Sequence, residues 1–169
     1  SLTRVGLAKL LDNIIDLMPS PEGRTLVGVN PKTGDPVERV CAEDQPFSAR
    51  VFKTLADPYV GRLSLIKVTS GVLTGDTALY NVNAEKAEKA GTIYIQRGKK
   101  QTTTQKVVAG DICALAKLQS VNTGHTLCDA NNPVRFDEIV FPLPCISMAV
   151  YAKKAGDEDK VFSGLARLQ

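Results

Sequence analysis

The sequence predicts an all-β protein built around a closed antiparallel β-barrel of about six strands. Between residues 46 and 120, short apolar segments alternate with polar residues at a period of two. Glycine-containing turn signals separate these segments at spacings of roughly 10–15 residues. No segment of helical period interrupts them, which argues against a parallel α/β sheet. Short antiparallel strands at such regular spacing are typical of a closed barrel.

The composition is compatible with one globular domain and some flanking chain. The 169 residues include 21 basic and 18 acidic side chains, a net charge of +3, and 43% are apolar. This length accommodates a domain of about 100–150 residues. No apolar run approaches the roughly 20 residues that span a bilayer, so we expect no membrane contact and a cytoplasmic location.

The cysteine pattern does not predict a metal site. The four cysteines form no C-x-x-C pair, and the chain has a single histidine, His125. A structural zinc site needs four ligands at closer spacings. We therefore expect reduced thiols, as in cytosolic proteins, at Cys41, Cys113, Cys128 and Cys145.

The first predicted element is an amphipathic helix. Its apolar residues recur at i, i+3, i+4, i+7, i+8 and i+11 from Leu7 to Met18, a period of 3.6. Thr3 is the predicted N-cap, and Pro19 with Pro21 ends the pattern. Residues 20–45 are rich in Pro, Gly and acidic residues, so we expect a linker with at most one hairpin.

Six strands follow in the predicted barrel. In the first, Phe47, Ala49 and Val51 point to one face and alternate with more polar neighbours. Residues 70–76 are expected to form a loop because they contain two glycines. The predicted strands cover residues 47–52, 62–70, 77–82, 92–96, 101–108 and 111–118.

The barrel pattern ends near residue 130. A proline-containing connector closes a second predicted linker, residues 131–144, and residues 145–152 alternate as a strand. Three acidic residues at 157–159 then begin a predicted helix, since negative charge stabilises a helix N-terminus. We expect residues 145–169 to be a strand–helix remnant, the truncated start of a further domain.

The chain carries no recognisable catalytic motif. Gly23 and Gly28 have the glycine spacing of a phosphate-binding loop, but Val29 and Asn30 follow where lysine and a hydroxyl residue are required. No Gly-x-Ser-x-Gly elbow occurs either. We therefore expect that this chain is not itself an enzyme and holds no cofactor or metal.

Positive charge is concentrated in the predicted barrel. Residues 46–110 contain ten basic and four acidic side chains. The densest cluster is Arg97-Gly98-Lys99-Lys100, between two predicted strands. A basic loop of this kind neutralises phosphates and attracts nucleic acid without sequence preference. The alternative is a solvated loop that only favours solubility.

Several motifs occur in a fixed order along the chain. They are DQPFSA at 44–49, ADPYVGRL at 56–63, SGVL at 70–73, GDT at 75–77, AGDI at 109–112, TG at 123–124, TLCD at 126–129 and FPLPCIS at 141–147. Together they resemble the second domain of the elongation factor G family of translational GTPases and the segments that flank it. The resemblance extends over nearly the whole chain.

The resemblance implies a domain arrangement and a parent function. Residues 1–19 correspond to the last helix of the GTP-binding domain, 46–130 to the β-barrel second domain and 145–169 to the start of the third domain. The parent hydrolyses GTP on the ribosome during translocation, and GTP and magnesium bind to a domain outside this chain. The implied partners are the ribosome, small-subunit ribosomal RNA, and the parent's GTP-binding and third domains.

The resemblance also implies residues that contact ribosomal RNA. They are Arg62, in the Val-Gly-Arg turn, and Arg97, Lys99 and Lys100, in the basic loop. For Arg62 a structural pairing with Asp57 is the alternative, and Tyr94 either stacks on a base or packs in the sheet.

Two further functional interpretations stay open. The family usually has Gly-Asp-Thr-Leu where this chain has His125 in place of the aspartate, and residues 91–101 resemble a divergent group of elongation factor G-like proteins. A ribosomal-protection or ribosome-recycling paralogue is therefore one alternative. A stand-alone nucleic-acid-binding barrel is the other, although it predicts more exposed aromatic residues.

Overall fold

The computed structural model describes residues 3–57, 60–98 and 100–168, with two compact units, residues 1–139 and 140–169. In these described ranges the elements of the first unit are α1 (Leu7–Leu17), β1 (Thr25–Val29), β2 (Pro36–Val40), β3 (Ser48–Asp57), β4 (Gly61–Ser70), β5 (Val72–Thr74), β6 (Ala78–Asn81), β7 (Lys86–Lys89), β8 (Ile93–Arg97), β9 (Lys100–Thr104), β10 (Lys106–Val108), β11 (Ile112–Ala116) and β12 (Thr126–Cys128). The second unit contains α2 (Glu158–Leu168).

The first unit contains an eight-stranded sheet in the order β7-β6-β12-β3-β4-β11-β8-β9, and β1 with β2 and β5 with β10 form two-stranded sheets. Every neighbouring pair is antiparallel. The prediction of a mainly β fold with a large antiparallel sheet is confirmed. Closure into a barrel is not confirmed, because within the described ranges the edge strands β7 and β9 do not pair with each other.

The prediction of about six strands was too low. All six predicted segments overlap observed strands, but the segment 101–108 is divided into β9 and β10, and β1, β2, β5, β7 and β12 were not predicted as separate strands. All five missed strands have only three to five residues, too few for a clear alternation. They are strands because other strands of the same protein pair with them, as β10 does with β5.

The two faces of the sheet bury different clusters. Along β4, Ile66 and Val68 belong to the main core, whereas Leu63 lies in a second cluster with Leu65 packed against it. This division follows from the pleat, which sends successive side chains to opposite faces. The main core draws on strands across the whole sheet and is fully enclosed at Ala49, Val51, Ile66, Val68, Leu73, Leu115, Val121 and Leu127.

A β1–β2 hairpin lies within the segment 20–45, for which a linker with at most one hairpin was expected. It joins the main unit through reciprocal backbone hydrogen bonds of 2.8 Å between Val29 and Arg135. Val37 packs against the third apolar cluster, which includes Phe136. The buried guanidinium of Arg39 donates to the Asn132 carbonyl at 2.8 Å. The hairpin is therefore anchored by both apolar and polar contacts.

The helix α1 forms as predicted, but it buries none of its residues. Its N-cap is Gly6, with φ of +78°, rather than the predicted Thr3. The helix ends at Leu17, just before the prolines that were expected to terminate it.

In the second unit, α2 begins as predicted with acidic residues in its first turn, Glu158 and Asp159. The predicted strand at 145–152 was wrong, because no residue of this described segment joins a sheet. Alternation produces a two-faced segment, but a strand also needs a partner for its backbone groups. Neither helix in the described ranges is long and apolar enough to cross a membrane.

Candidate nucleic-acid interface

The β3–β4 turn sets the position of Arg62. Asp57 pairs with Gly61 across the two strands, and its Oδ1 accepts a hydrogen bond of 2.9 Å from the Val60 amide. Gly61 has φ of +84°, a conformation that a residue without Cβ adopts at little cost. Arg62 follows as the second residue of β4, and it is exposed.

The Arg62 side chain is oriented by an amide. Its Nη2 donates to Asn122 Oδ1. The Asp57 carboxylate accepts from the Val60 amide and from Gln101. The structure therefore gives Arg62 the partner Asn122, which the sequence-based alternative of pairing with Asp57 did not anticipate.

The basic loop lies at the tip of the β8–β9 hairpin. Arg97 and Lys100 are directly opposite each other in the strand register, and both are exposed. Gly98 has φ of +59° in the turn, and its carbonyl accepts a hydrogen bond of 2.6 Å from Gln96 Nε2. Two cations opposed across a hairpin repel each other, and an anion bound between them would offset that repulsion. The third predicted residue of the loop, Lys99, lies outside the described residues.

A hydrogen bond brings the hairpin tip to the β3–β4 turn. Gln101 Nε2, one residue after Lys100, donates to Asp57 Oδ2 at 3.0 Å. Because Asp57 is paired with Gly61, the first residue of β4, this contact brings the start of β9 close to the start of β4. This hydrogen bond links the tip that carries Arg97 and Lys100 to the β3–β4 turn that precedes Arg62.

Sequence reasoning missed Lys117. Its amide donates a hydrogen bond of 3.3 Å to the Arg62 carbonyl, and its side chain is exposed. It is also one of the few non-glycine residues with positive φ, at +62°, immediately after β11. Such a conformation is uncommon for a long side chain, and no sequence pattern predicts it. We call Arg62, Arg97, Lys100 and Lys117 the tip cluster.

The loop that carries Asn122 is held in place from the β6–β7 hairpin. Glu88 Oε1 accepts two hydrogen bonds, one of 3.1 Å from the Gln119 amide and one of 2.7 Å from the Ser120 amide. Asn81 Nδ2 donates a hydrogen bond of 2.8 Å to the Ser120 carbonyl. These contacts fix the loop, and therefore the acceptor that orients Arg62.

His125 completes this loop as a neutral acceptor. Its Nδ1 lies 3.1 Å from Asn81 Nδ2 and accepts a hydrogen bond of 3.3 Å from the Asn122 amide. Burial lowers the pKa of the imidazole, and the nearby Arg62 charge lowers it further, although Glu138 opposes them. His125 therefore supports the loop and adds no charge to the tip cluster at neutral pH.

Tyr94 packs against the second apolar cluster beside Leu63 and Ala114. This contact agrees with the sheet-packing alternative for its ring. Among the described residues, no group of His, Cys, Asp or Glu side chains could hold a metal ion. Burial raises the pKa of the Cys113 thiol to about 12, which leaves it unreactive.

The tip cluster has the chemistry of a phosphate-binding surface. Within the described ranges, Arg97, Lys100 and Lys117 make no ion pair. Exposed cations at the β8–β9 tip and beside the β3–β4 turn can contact several phosphates of one backbone. The fold and this surface define a class of protein, an antiparallel β domain with a cationic end.

Comparison with known proteins narrows that class. The family model for elongation factor G domain 2 matches residues 46–130. Elongation factor G of Dehalococcoides mccartyi is 36% identical over 169 residues, which is 99% of this chain and 24% of that protein. A crystal structure of a Thermus thermophilus protein superposes with a TM-score of 0.69 at 24% identity, covering 96% of this chain and 22% of that one.

These similarities show that the chain belongs to the elongation factor G family. It spans about a quarter of the length of the curated relative it matches. The resemblance expected from the ordered motifs is confirmed by the family model and by this relative.

Proposed function

We propose that the chain is part of an elongation factor G-like translational GTPase, and that residues 46–130 are its non-catalytic second domain. In this proposal the domain is a β-barrel that contacts small-subunit ribosomal RNA during translocation. Residues 1–19 belong to the GTP-binding domain, 20–45 and 131–144 connect the domains, and 145–169 begin the third domain. GTP and magnesium bind to a part of the parent protein outside this chain. The parent protein is cytoplasmic.

Two observations favour barrel closure. The main core takes side chains from strands on both sides of β3, including Leu79 of β6 and Ile93 of β8. In addition, the bond from Gln101 to Asp57 connects the edge strand β9 with β3, four strands away in the sheet order. A sheet that curls until its edge meets an inner strand surrounds one core, as barrels do.

The observation that carries the RNA contact is the opposed pair Arg97 and Lys100. Their Cα atoms are register partners at an exposed turn, where like charges destabilise the hairpin unless anions offset them. A phosphate backbone supplies such anions at a spacing that adjoining strand ends can follow. Arg62 and Lys117 extend the same surface along the ends of β4 and β11.

A charge-reversal experiment tests this contact. The 169-residue chain and its variant Arg97→Glu/Lys100→Glu are titrated against bacterial small ribosomal subunits at several salt concentrations. The variant is expected to bind at least about tenfold more weakly. The slope of log affinity against log salt should fall by about one for each lost phosphate contact.

The matched control is Lys32→Glu/Lys86→Glu, which changes the net charge by the same amount. Lys32 lies in the β1–β2 turn and Lys86 on β7, and both side chains are exposed. The control should retain affinity within about threefold, a difference below 1 kcal/mol. Equal weakening by the two variants would show that only overall charge attracts the RNA, and the tip contact would be rejected.

A further inference from the structure

A second cationic surface lies away from the tip cluster. A groove of about 340 Å³ separates the start of the β1–β2 hairpin from the outer face of β3, β4 and β11. Its apolar lining includes Leu26 from the hairpin, Phe52 from β3 and Ile112 from β11. Leu26 and Ile112 are 36% and 52% exposed, so the groove presents apolar surface to solvent. This volume fits one or two apolar side chains.

Three cations line the same groove: Arg24, Arg50 and Lys67. Arg50 and Lys67 are directly opposite each other in the β3–β4 register. Like charges in this arrangement repel each other, and the groove lining contains no carboxylate to offset them. Among the described residues Lys67 forms no ion pair, and the buried Nε of Arg50 has no hydrogen-bond partner. Arg50 is oriented through its Nη2, which donates to the Asp137 carbonyl.

The combination of apolar walls and uncompensated cations defines the complementary ligand. It has an apolar body that fills the cavity and carboxylates or phosphates that meet the guanidinium groups. Sequence-tolerant RNA binding uses several aromatic platforms, but Phe52 is the one aromatic residue in the lining. Aliphatic walls favour a leucine- or phenylalanine-sized side chain instead.

We propose that this groove binds an acidic, apolar peptide segment of a protein partner. The apolar side chain of the segment enters between Leu26 and Ile112, and its carboxylates pair with Arg50 and Lys67. The groove is separate from Arg62 of the tip cluster, because Lys67 lies five residues along β4 from Arg62. Five residues of strand span about 17 Å. The proposal therefore does not depend on RNA binding at the tip.

Fluorescence anisotropy of the 169-residue chain tests this groove. The probe is a fluorescein-labelled peptide, Glu-Leu-Phe-Asp-Glu, and its partner is the same peptide with glutamine and asparagine at the acidic positions. The acidic peptide should bind at least tenfold more tightly than the amide peptide. This comparison uses the unaltered protein, so it does not depend on the folding of any variant.

Two charge-reversal variants test whether the peptide binds in the groove. Lys67→Glu should weaken binding of the acidic peptide at least tenfold, whereas Lys53→Glu, an exposed residue of β3 outside the groove lining, should stay within about twofold. The proposal fails if the two peptides bind equally or if Lys67→Glu has no effect. It also fails if no saturation is reached by about 1 mM peptide. Displacement of the peptide by oligouridylate in the unaltered chain, but not in Lys67→Glu, would reassign the groove to RNA.

Discussion

The sheet and the helix α1 are both rich in leucine and isoleucine, but only the sheet buries them. Ile66 and Leu115 are 0% exposed in the main core. In α1, Ile14 is 44% exposed and Ile15 is 78% exposed. The two regions therefore differ in packing rather than in composition.

This difference shows what an apolar pattern does and does not determine. Each strand finds its partner within the same unit, as β3 does with β4, so that alternation and burial are fulfilled together. An amphipathic helix needs a separate surface for its stripe. At 11 residues, α1 is shorter than the roughly 12–15 residues at which isolated helices are even marginal in water.

The largest expected effect comes from truncating the same kind of side chain in both regions. Leu115→Ala should lower the free energy of unfolding by about 2–5 kcal/mol, because it leaves a cavity in the enclosed core. Ile14→Ala should change it by less than about 0.5 kcal/mol, because Ile14 belongs to none of the three apolar clusters and alanine favours helix. Urea denaturation followed by circular dichroism measures both. A loss above about 2 kcal/mol for Ile14→Ala, a value typical of buried side chains, would mean that α1 packs on the sheet unit.

A turn within the sheet is expected to be almost as sensitive. Gly71 has φ of +73°, and a Cβ there would lie 2.6 Å from the Gln45 carbonyl oxygen and 2.8 Å from the Phe47 Cα. Gly71→Ala should therefore cost about 2–4 kcal/mol, from the strained φ and the backbone clash together.

Gly34 is the matched control for Gly71. It has φ of +80°, but nothing lies within 4 Å of the position of its Cβ. Gly34→Ala should cost only about 1–2 kcal/mol, from the φ alone. Similar losses of thermal stability for the two variants would contradict the close approach of the chain at Gly71.

Much of the fold was accessible from the sequence because local pattern and pairing agree in the long strands. The alternation at residues 47–52 and 62–70 predicted β3 and β4, whose inward residues form the core. The segment Lys86–Lys89 shows no apolar alternation, and it is a strand because β6 pairs with it. The strand predicted at 145–152 failed for the converse reason, since its alternation found no partner.

The candidate site was predictable only in part. The tip residues Arg97 and Lys100 were visible as a charge cluster within a turn. The nearness of Arg62 to them depends on the bond between Gln101 and Asp57, which joins residues 44 positions apart. Lys117 depends on a positive φ after β11. No local signal marks either feature.

A smaller effect is expected from the pH dependence of the Asn122 loop. Because burial lowers the pKa of His125 in the folded state, the unfolded state binds more protons once the pH falls below about 6.5, the ordinary histidine pKa. The stability contributed by neutral His125 is therefore present above that pH and is lost as the pH falls towards the folded pKa.

The test compares the unaltered chain with His125→Asn in urea melts between about pH 8 and pH 5.5, a range that spans the ordinary histidine pKa. Asparagine keeps an acceptor oxygen near Nδ1 but does not titrate. The unaltered chain should lose more stability than the variant over this range. Parallel pH profiles for the two proteins would show that the protonation of His125 is not coupled to folding.

Native-state hydrogen exchange most directly tests whether the sheet, rather than the helix, is the stable unit of residues 1–139. We expect the slowest amides in β3, β4 and β11, at residues 48–57, 61–70 and 112–116, because these strands surround the enclosed core. The amides of α1, residues 7–17, should exchange at rates close to those of an unfolded peptide. Slowest exchange in residues 7–17, with faster exchange in the three strands, would contradict the account.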